Sequence, residues 1–169
     1  RRVLFRSYHV AINDKLNPGD KIKPYFDAAL YAKQASGGDR DSESFEVANS
    51  ILEKNRPSSL PSRDKSAYIF KTIDDAVEYL HGGNRPIYAV KPIGSVTWVD
   101  MKWVDDIQSE IINFYVDCSN AEFCDADEKN FLKEMDDMAK KYWKGVSTGD
   151  PVWEGITKGE LEVIKKVKN

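Results

Sequence analysis

The sequence lacks the long apolar runs, the cysteines and the positive charge that would assign it to several common classes of protein. No hydrophobic stretch approaches the roughly 20 residues that a membrane-spanning helix needs, so we expect no integral membrane protein. The 169 residues include 2 cysteines and 2 histidines, too few for a disulfide scaffold or for a Cys/His metal site. The formal net charge of −3 does not favour general binding to a nucleic-acid backbone.

What the sequence does contain is enough apolar material for one folded domain. Hydrophobic residues make up 41% of the chain and aromatic residues 11%, which is far from the composition of a disordered tail. Apolar positions follow strand-like and helix-like patterns in alternation, without an internal repeat or a long linker. We therefore predict a soluble α+β protein with a single domain over residues 8–169.

The first seven residues differ from the rest of the chain. Arg1–Ser7 reads RRVLFRS, which resembles one reading frame of a common sequencing adapter. We therefore expect a metagenomic fragment that lacks its true N-terminus, with native sequence from about Tyr8. The segment is basic, but no apolar region of a secretion signal follows it. We expect a protein of the cytoplasm, or one delivered to a host cytoplasm.

Local patterns predict the order of the elements. Thr72 is expected to cap a helix, with Asp75 completing a capping box, and Gly145 is expected to end a later helix. The apolar spacing predicts helices over residues 28–35, 45–55, 73–80, 107–115 and 125–142. Strand-like runs lie at residues 8–12, 22–26, 67–70, 87–90, 96–99 and 161–167.

Three separated segments carry a resemblance to a known family. Residues 8–10 (YHV) with the turn 16–22 (LNPGDKI) are similar to the opening of the rifamycin-type ADP-ribosyltransferases. Residues 66–76 resemble their second strand and the helix after it, and residues 86–94 resemble their third strand with its Pro-x-Gly exit. The loop that ends at Arg63 and the later YWKG sequence also resemble an uncharacterised prokaryotic and phage family of the His-Tyr-Glu type.

The resemblance implies a split, mostly antiparallel β-sheet around a cleft for NAD, with helices at its sides. The implied reaction transfers ADP-ribose from NAD to an unidentified acceptor, which is a protein, a nucleic-acid base or a small molecule, and releases nicotinamide. His9, Tyr68 and Glu154 match the three catalytic positions. By the same resemblance, His9, Tyr68, Arg63 and Ser66 would bind NAD, with no metal. The biological role remains open between a toxin, a resistance enzyme and a counter-defence factor.

The chemistry of the reaction calls for these residue types. Cleavage of the N-glycosidic bond builds positive charge on C1′ of the ribose, so a carboxylate aimed at that carbon stabilises the transition state. A flat aromatic ring attracts the cationic nicotinamide, and Arg63 is suited to pair with the pyrophosphate. Asp100 is an alternative to Glu154 as the carboxylate. An alternative function is a non-catalytic protein of the same fold that binds a protein partner or a nucleotide.

Overall fold

A computed structural model describes residues 6–12, 15–24, 39–80, 82–119 and 125–168. The chain forms two compact units. The first, which we call the sheet unit, comprises residues 1–26, 63–99 and 152–169. The second, the helical unit, comprises residues 27–62 and 100–151. The α+β class predicted from the sequence is confirmed.

The described residues contain seven strands and four α-helices. The strands are β1 (Ser7–Val10), β2 (Lys21–Ile22), β3 (Ala67–Phe70), β4 (Ile87–Pro92), β5 (Thr97–Asp100), β6 (Trp153–Thr157) and β7 (Leu161–Lys168). The helices are α1 (Asp39–Lys54), α2 (Ile73–Tyr79), α3 (Lys102–Ser119) and α4 (Asp125–Trp143). None of these helices combines the length and the apolar character needed to cross a membrane.

The strands form one sheet in the order β2-β7-β4-β1-β3-β6-β5. The pairings of β1 with β3 and β4, of β7 with β2 and β4, and of β3 with β6 are all antiparallel. Strand β1 pairs with β4 from Ser7 to Val10, but with β3 at the single position Tyr8–Phe70. The sheet is therefore weakly joined between β1 and β3, at its centre.

The register decides which side chains share a face of the sheet, because residues directly opposite each other point the same way. An apolar cluster defines one face, which we call the cluster face: Ala11, Ala67, Ile69, Tyr88, Val90, Leu161 and Val163. His9 lies opposite Tyr88 and therefore belongs to the cluster face. Glu154 lies opposite Phe70, next to Ile69 in the chain, and therefore belongs to the other face.

Helix α2 follows β3 and begins as the sequence predicts. The Thr72 side chain accepts a hydrogen bond from the Asp75 amide, and the Asp75 carboxylate accepts one from the Thr72 amide. This capping box satisfies two amide groups that the first helical turn leaves without partners. At the other end of the helix, the Tyr79 ring packs 4.8 Å from the Phe70 ring, between centroids.

The helical unit packs three longer helices around its own core. The Trp143 Nε1 group donates a hydrogen bond of 2.7 Å to the Leu52 carbonyl oxygen, which ties α4 to the last part of α1. Gly145 has φ of 67°, and the amides of Gly145 and Val146 bond back to Tyr142 and Lys141, a Schellman-type end to α4. The predicted glycine stop is confirmed.

Strand β6 is not among the strand-like runs predicted from the sequence. Glu154 lies inside this strand and is 1% exposed. Glu and Gly are depleted in strands, so the run of Glu154 and Gly155 gives no local strand signal. The predicted extended run over residues 22–26 reduces to β2 within the described part, and the predicted helix over residues 28–35 lies outside it.

Candidate functional site

Three of the residues singled out from the sequence meet on the face of the sheet that carries Glu154. Arg63 lies in a short 3₁₀-helix, Arg63–Lys65, that leads into β3. Its Nη1 donates a hydrogen bond of 2.9 Å to Glu154 Oε1 in β6, and the two side chains are 4% and 1% exposed. A charge removed from water this completely is tolerated only with a close partner of opposite sign, which each residue supplies to the other.

Tyr68 joins this pair through both its ring and its hydroxyl group. The hydroxyl donates a hydrogen bond of 2.6 Å to the Arg63 carbonyl oxygen. The Arg63 guanidinium carbon lies 5.2 Å from the centroid of the Tyr68 ring, within the range of a cation–π contact. Ser66 is fully buried between them in the chain. Arg63, Tyr68 and Glu154 therefore form one buried polar cluster.

The His9 ring contacts the backbone of Tyr68. The His9 Nδ1 atom lies 2.7 Å from the Tyr68 carbonyl oxygen. Because a carbonyl oxygen only accepts, Nδ1 carries the hydrogen in this contact and Nε2 is left as an acceptor in the neutral ring. Burial lowers the pKa of His9, and the hydrogen bond to Tyr68 opposes that effect in part. The imidazole is therefore neutral at pH 7.

The register separates His9 from the Arg63–Glu154 pair. The His9 side chain lies on the cluster face with Tyr88, and the Glu154 side chain lies on the opposite face with Phe70. The imidazole and the carboxylate are therefore on opposite sides of the sheet. The structure brings together Arg63, Tyr68 and Glu154, and it does not bring the His9 ring to the carboxylate of Glu154.

Asp100, the alternative carboxylate, supports the backbone of the helical unit. It is fully buried, and its Oδ2 accepts hydrogen bonds of 2.7 Å from both the amide and the hydroxyl of Thr148. Its Oδ1 accepts a hydrogen bond of 3.0 Å from the Lys102 amide at the start of α3. Both oxygens are therefore engaged by donors that hold the loop at Thr148 to the beginning of the helix.

A second group of side chains lies at the surface of the sheet unit. The Lys71 ammonium lies 4.2 Å from the centroid of the Trp153 ring and 5.2 Å from that of Trp98. Both indoles are half-buried and Lys71 is exposed. We call these three residues the Trp–Lys–Trp cluster. No local sequence pattern predicts this cluster, because the three residues come from β6, from β5 and from the position after β3.

Glycine at position 155 allows this cluster to form. A Cβ atom at Gly155 would lie 2.7 Å from Val96 Cγ1, 2.8 Å from Ile69 Cγ1 and 2.9 Å from Trp98 Cζ3. These distances are shorter than van der Waals contact, so only a residue without a side chain lets Trp98 lie against β6. Trp98 thereby lies against β6.

Comparison with known proteins leaves the family open. Neither a scan against protein-family models nor a search of the curated proteins finds a match to this chain. The similarity to ADP-ribosyltransferases therefore remains a prediction from the three sequence segments.

Proposed function

We propose that this chain is a non-catalytic member of the ADP-ribosyltransferase-like class, which acts by binding rather than by transferring ADP-ribose. The observation that carries the proposal is the state of its carboxylates. Glu154 is 1% exposed and ion-paired with Arg63, and Asp100 is fully buried and bonded to Thr148 and Lys102. Neither is presented to a ligand.

Transfer of ADP-ribose requires a carboxylate that the ribose can reach. The carboxylate has to approach C1′ of the ribose, where positive charge develops, at the distance of a direct contact. Reaching Glu154 would require opening the buried pair with Arg63, which leaves a guanidinium without its partner and costs several kcal/mol. His9, which would orient the ribose, lies on the other face of the sheet.

The fold-class part of the proposal rests on the strand arrangement together with the sequence resemblance. The resemblance implies a sheet that is split near its centre. The single registered pair between β1 and β3, against four between β1 and β4, is consistent with such a split. His9 lies at this point, and its ring is bonded to the backbone of the strand across the split.

ADP-ribosyl transfer is the second candidate, and the clustering of three predicted residues favours it. Arg63, Tyr68 and Glu154 come from distant parts of the sequence and meet in one polar cluster. In this alternative, the NAD pyrophosphate pairs with the Arg63 guanidinium, which frees the Glu154 carboxylate to face C1′. Tyr68 stacks on nicotinamide. Ser66 and His9 would complete the binding of NAD, as the resemblance implies, and the acceptor would be a protein, a base or a small molecule.

Incubation with NAD labelled in the nicotinamide ring separates the two candidates. We expect no release of nicotinamide above the enzyme-free rate. Release by the wild-type chain that is lost in Glu154→Gln, but kept in Glu162→Gln, would establish cleavage of NAD at this site and contradict our non-catalytic proposal. Glu162 is a suitable control because it is a partly exposed glutamate of the same sheet, paired with Lys21. Circular dichroism of each variant checks that the fold is retained.

The cellular location is a separate part of the proposal, and one observation opposes it. The resemblance favours the cytoplasm of a prokaryotic or host cell. Cys118 is disulfide-bonded, and the only other cysteine of the chain, Cys124, lies outside the described residues. Disulfides persist mainly in oxidising compartments. Alkylation of protein isolated from its native cell, followed by mass spectrometry, decides the matter, since free thiols support the cytoplasm and a disulfide contradicts it.

A further inference from the structure

The distribution of charge between the two units differs from the net charge of the chain. The sheet unit contains 15 Lys and Arg residues and 9 Asp and Glu residues, a difference of +6. The helical unit contains 10 basic and 19 acidic residues, a difference of −9. Without residues 1–7, which include three arginines, the sheet unit still carries 12 basic residues against 9 acidic ones, or +3. An anionic ligand is therefore attracted to the sheet unit.

The Trp–Lys–Trp cluster offers such a ligand a specific contact. Two half-buried indoles, Trp98 and Trp153, both contact the exposed Lys71 ammonium. In the part of the chain that the structure describes, no carboxylate forms an ion pair with Lys71, and its ammonium contacts the two indole rings. Indole faces stack on flat aromatic rings, and an ammonium group binds phosphate.

We propose that the Trp–Lys–Trp cluster binds single-stranded nucleic acid, with bases stacked on Trp98 and Trp153 and a backbone phosphate on Lys71. Stacking platforms combined with positive charge are the general means by which proteins hold single strands, whose bases are exposed. A duplex hides its base faces and cannot use the indoles. The incoming base displaces the Lys71 ammonium from an indole face, and the ammonium then pairs with the phosphate next to that base.

The position of Trp98 supports a binding surface that is formed in advance. The close contacts around Gly155 fix the Trp98 ring against β6, and the Lys71 amide donates a hydrogen bond of 3.4 Å to the Trp153 carbonyl oxygen. The three residues are thus held by neighbouring strands. A ligand that binds them does not have to order a loop, which reduces the entropic cost of binding.

The test is fluorescence anisotropy with a labelled oligodeoxythymidine of about 12 nucleotides, within the site sizes usual for single-strand binders. We expect wild-type binding at about 50 mM salt that weakens steeply toward about 200 mM. Trp153→Ala should weaken binding about 5- to 150-fold, because it removes one stacked base. Lys71→Ala should reduce the slope of log affinity against log salt by about 0.7, because it removes one phosphate contact.

The helical unit supplies a matched control. Its Lys141 ammonium lies 5.2 Å from the Trp103 ring centroid, the same kind of contact in an acidic environment. Lys141→Ala should leave oligonucleotide binding unchanged. Lys71→Glu serves as a second variant, because Lys71 is exposed and its charge can be reversed without disturbing the packing of either indole.

The proposal would be overturned if the wild-type chain did not bind the oligonucleotide at low salt, or if Lys71→Glu and Lys141→Ala lost the same amount of affinity. Equal affinity for a duplex of the same length would overturn it as well. A chain that binds NAD at this cluster but no oligonucleotide would also overturn it. The assay does not depend on nicotinamide release, so its failure is distinguishable from failure of the proposed non-catalytic role.

Discussion

The sheet unit and the helical unit have formal charges of opposite sign. By sequence the sheet unit carries +6 and the helical unit −9, so the net charge of −3 describes neither of them. A net charge of −3 disfavours nucleic acid as a general partner, but that average conceals a basic unit. Long-range attraction of a ligand depends on the local field of the surface it approaches, not on the sum over the chain.

The units also differ in their most deeply buried ion pair. Besides the exposed pair Lys21–Glu162, the sheet unit has the Arg63–Glu154 pair in its interior, where both side chains are almost completely removed from water. The helical unit carries pairs with substantial exposure, such as Lys54–Asp136 and Lys140–Asp137. Breaking a buried pair leaves an uncompensated charge in a poor solvent, whereas an exposed partner returns to water. The difference predicts a ranking of mutational effects.

The largest effect is expected in the interior of the sheet unit. Glu154→Ala should lower the free energy of unfolding by about 3–5 kcal/mol, because Arg63 remains buried without a partner. Urea unfolding followed by circular dichroism measures this. In the double variant Arg63→Met with Glu154→Leu, the free energy of unfolding should fall by less than the sum of the losses in Arg63→Met and in Glu154→Leu. Simple additivity of the two changes would show that the pair is not coupled.

A smaller effect is expected from filling the space at Gly155. Gly155→Ala should cost about 1–3 kcal/mol, because the new methyl group meets Val96, Ile69 and Trp98 at 2.7–2.9 Å. The same unfolding experiment measures it. Val96→Ala removes the nearest of these atoms. In the double variant Gly155→Ala with Val96→Ala, the free energy of unfolding should therefore fall by less than the sum of the two separate losses. A neutral Gly155→Ala would contradict the close packing of Trp98 on β6.

The helical unit should respond weakly to the loss of a carboxylate. The Asp136 Oδ1 atom accepts a hydrogen bond of 2.7 Å from Asn55, Lys54 lies 3.1 Å from Oδ2, and the Asn55 bond, with help from Lys54, lowers the pKa of Asp136. Asp136→Ala should reduce the free energy of unfolding by about 1 kcal/mol. Asp137→Ala, on the exposed side of the same helix, should change it by less than about 0.5 kcal/mol. Equal losses in the two variants would contradict this assignment.

The smallest expected effect is a pH dependence that originates at His9. The pKa of His9 in the folded chain lies below its ordinary value of 6.5 because of burial, so protonation favours the unfolded chain. The corresponding stability is present above pH 6.5 and is lost as the pH falls toward the lowered pKa. Between pH 7.5 and 5.5 we expect a loss of about 1 kcal/mol or less in the wild type.

Thermal unfolding across this range, in the wild type and in His9→Gln, tests the assignment. The variant should show a flatter profile, because it has no imidazole to protonate. The carboxylates Asp136 and Glu162 have lowered pKa values, so their contributions disappear only at more acidic pH and do not interfere. An equal decline in the two proteins would show that His9 is not the titrating group.

Several elements could be predicted because their signals are local. The Thr72 capping box and the Gly145 stop are formed by residues within a few positions of each other, and both were confirmed. The buried run Ala67–Phe70 gave β3 with the bounds observed. Strand β6 was missed because Glu154 and Gly155 are poor strand formers, and only their neighbours in β3 and β5 make that segment extended.

The candidate site was predictable in its residue types but not in its geometry. The resemblance named Arg63, Tyr68 and Glu154, and these residues do meet. Two features of the geometry depend on pairing between strands that are far apart in the chain. One is the buried ion pair of Glu154 with Arg63, and the other is the position of His9 on the opposite face of the sheet. A shift of one residue in any of these pairings would move a side chain to the opposite face. No pattern within β1 or β6 alone contains that information.

The sequence by itself determined the α+β class, the boundaries of the capped helices and the central strands. It did so because apolar periodicity and capping act over a few residues. Only the tertiary structure decided the sheet order, the burial of the Arg63–Glu154 pair, the face of His9 and the meeting of Lys71 with Trp98 and Trp153. These features arise from long-range packing, in which the register between strands decides whether a charged side chain is buried with a partner or left at the surface.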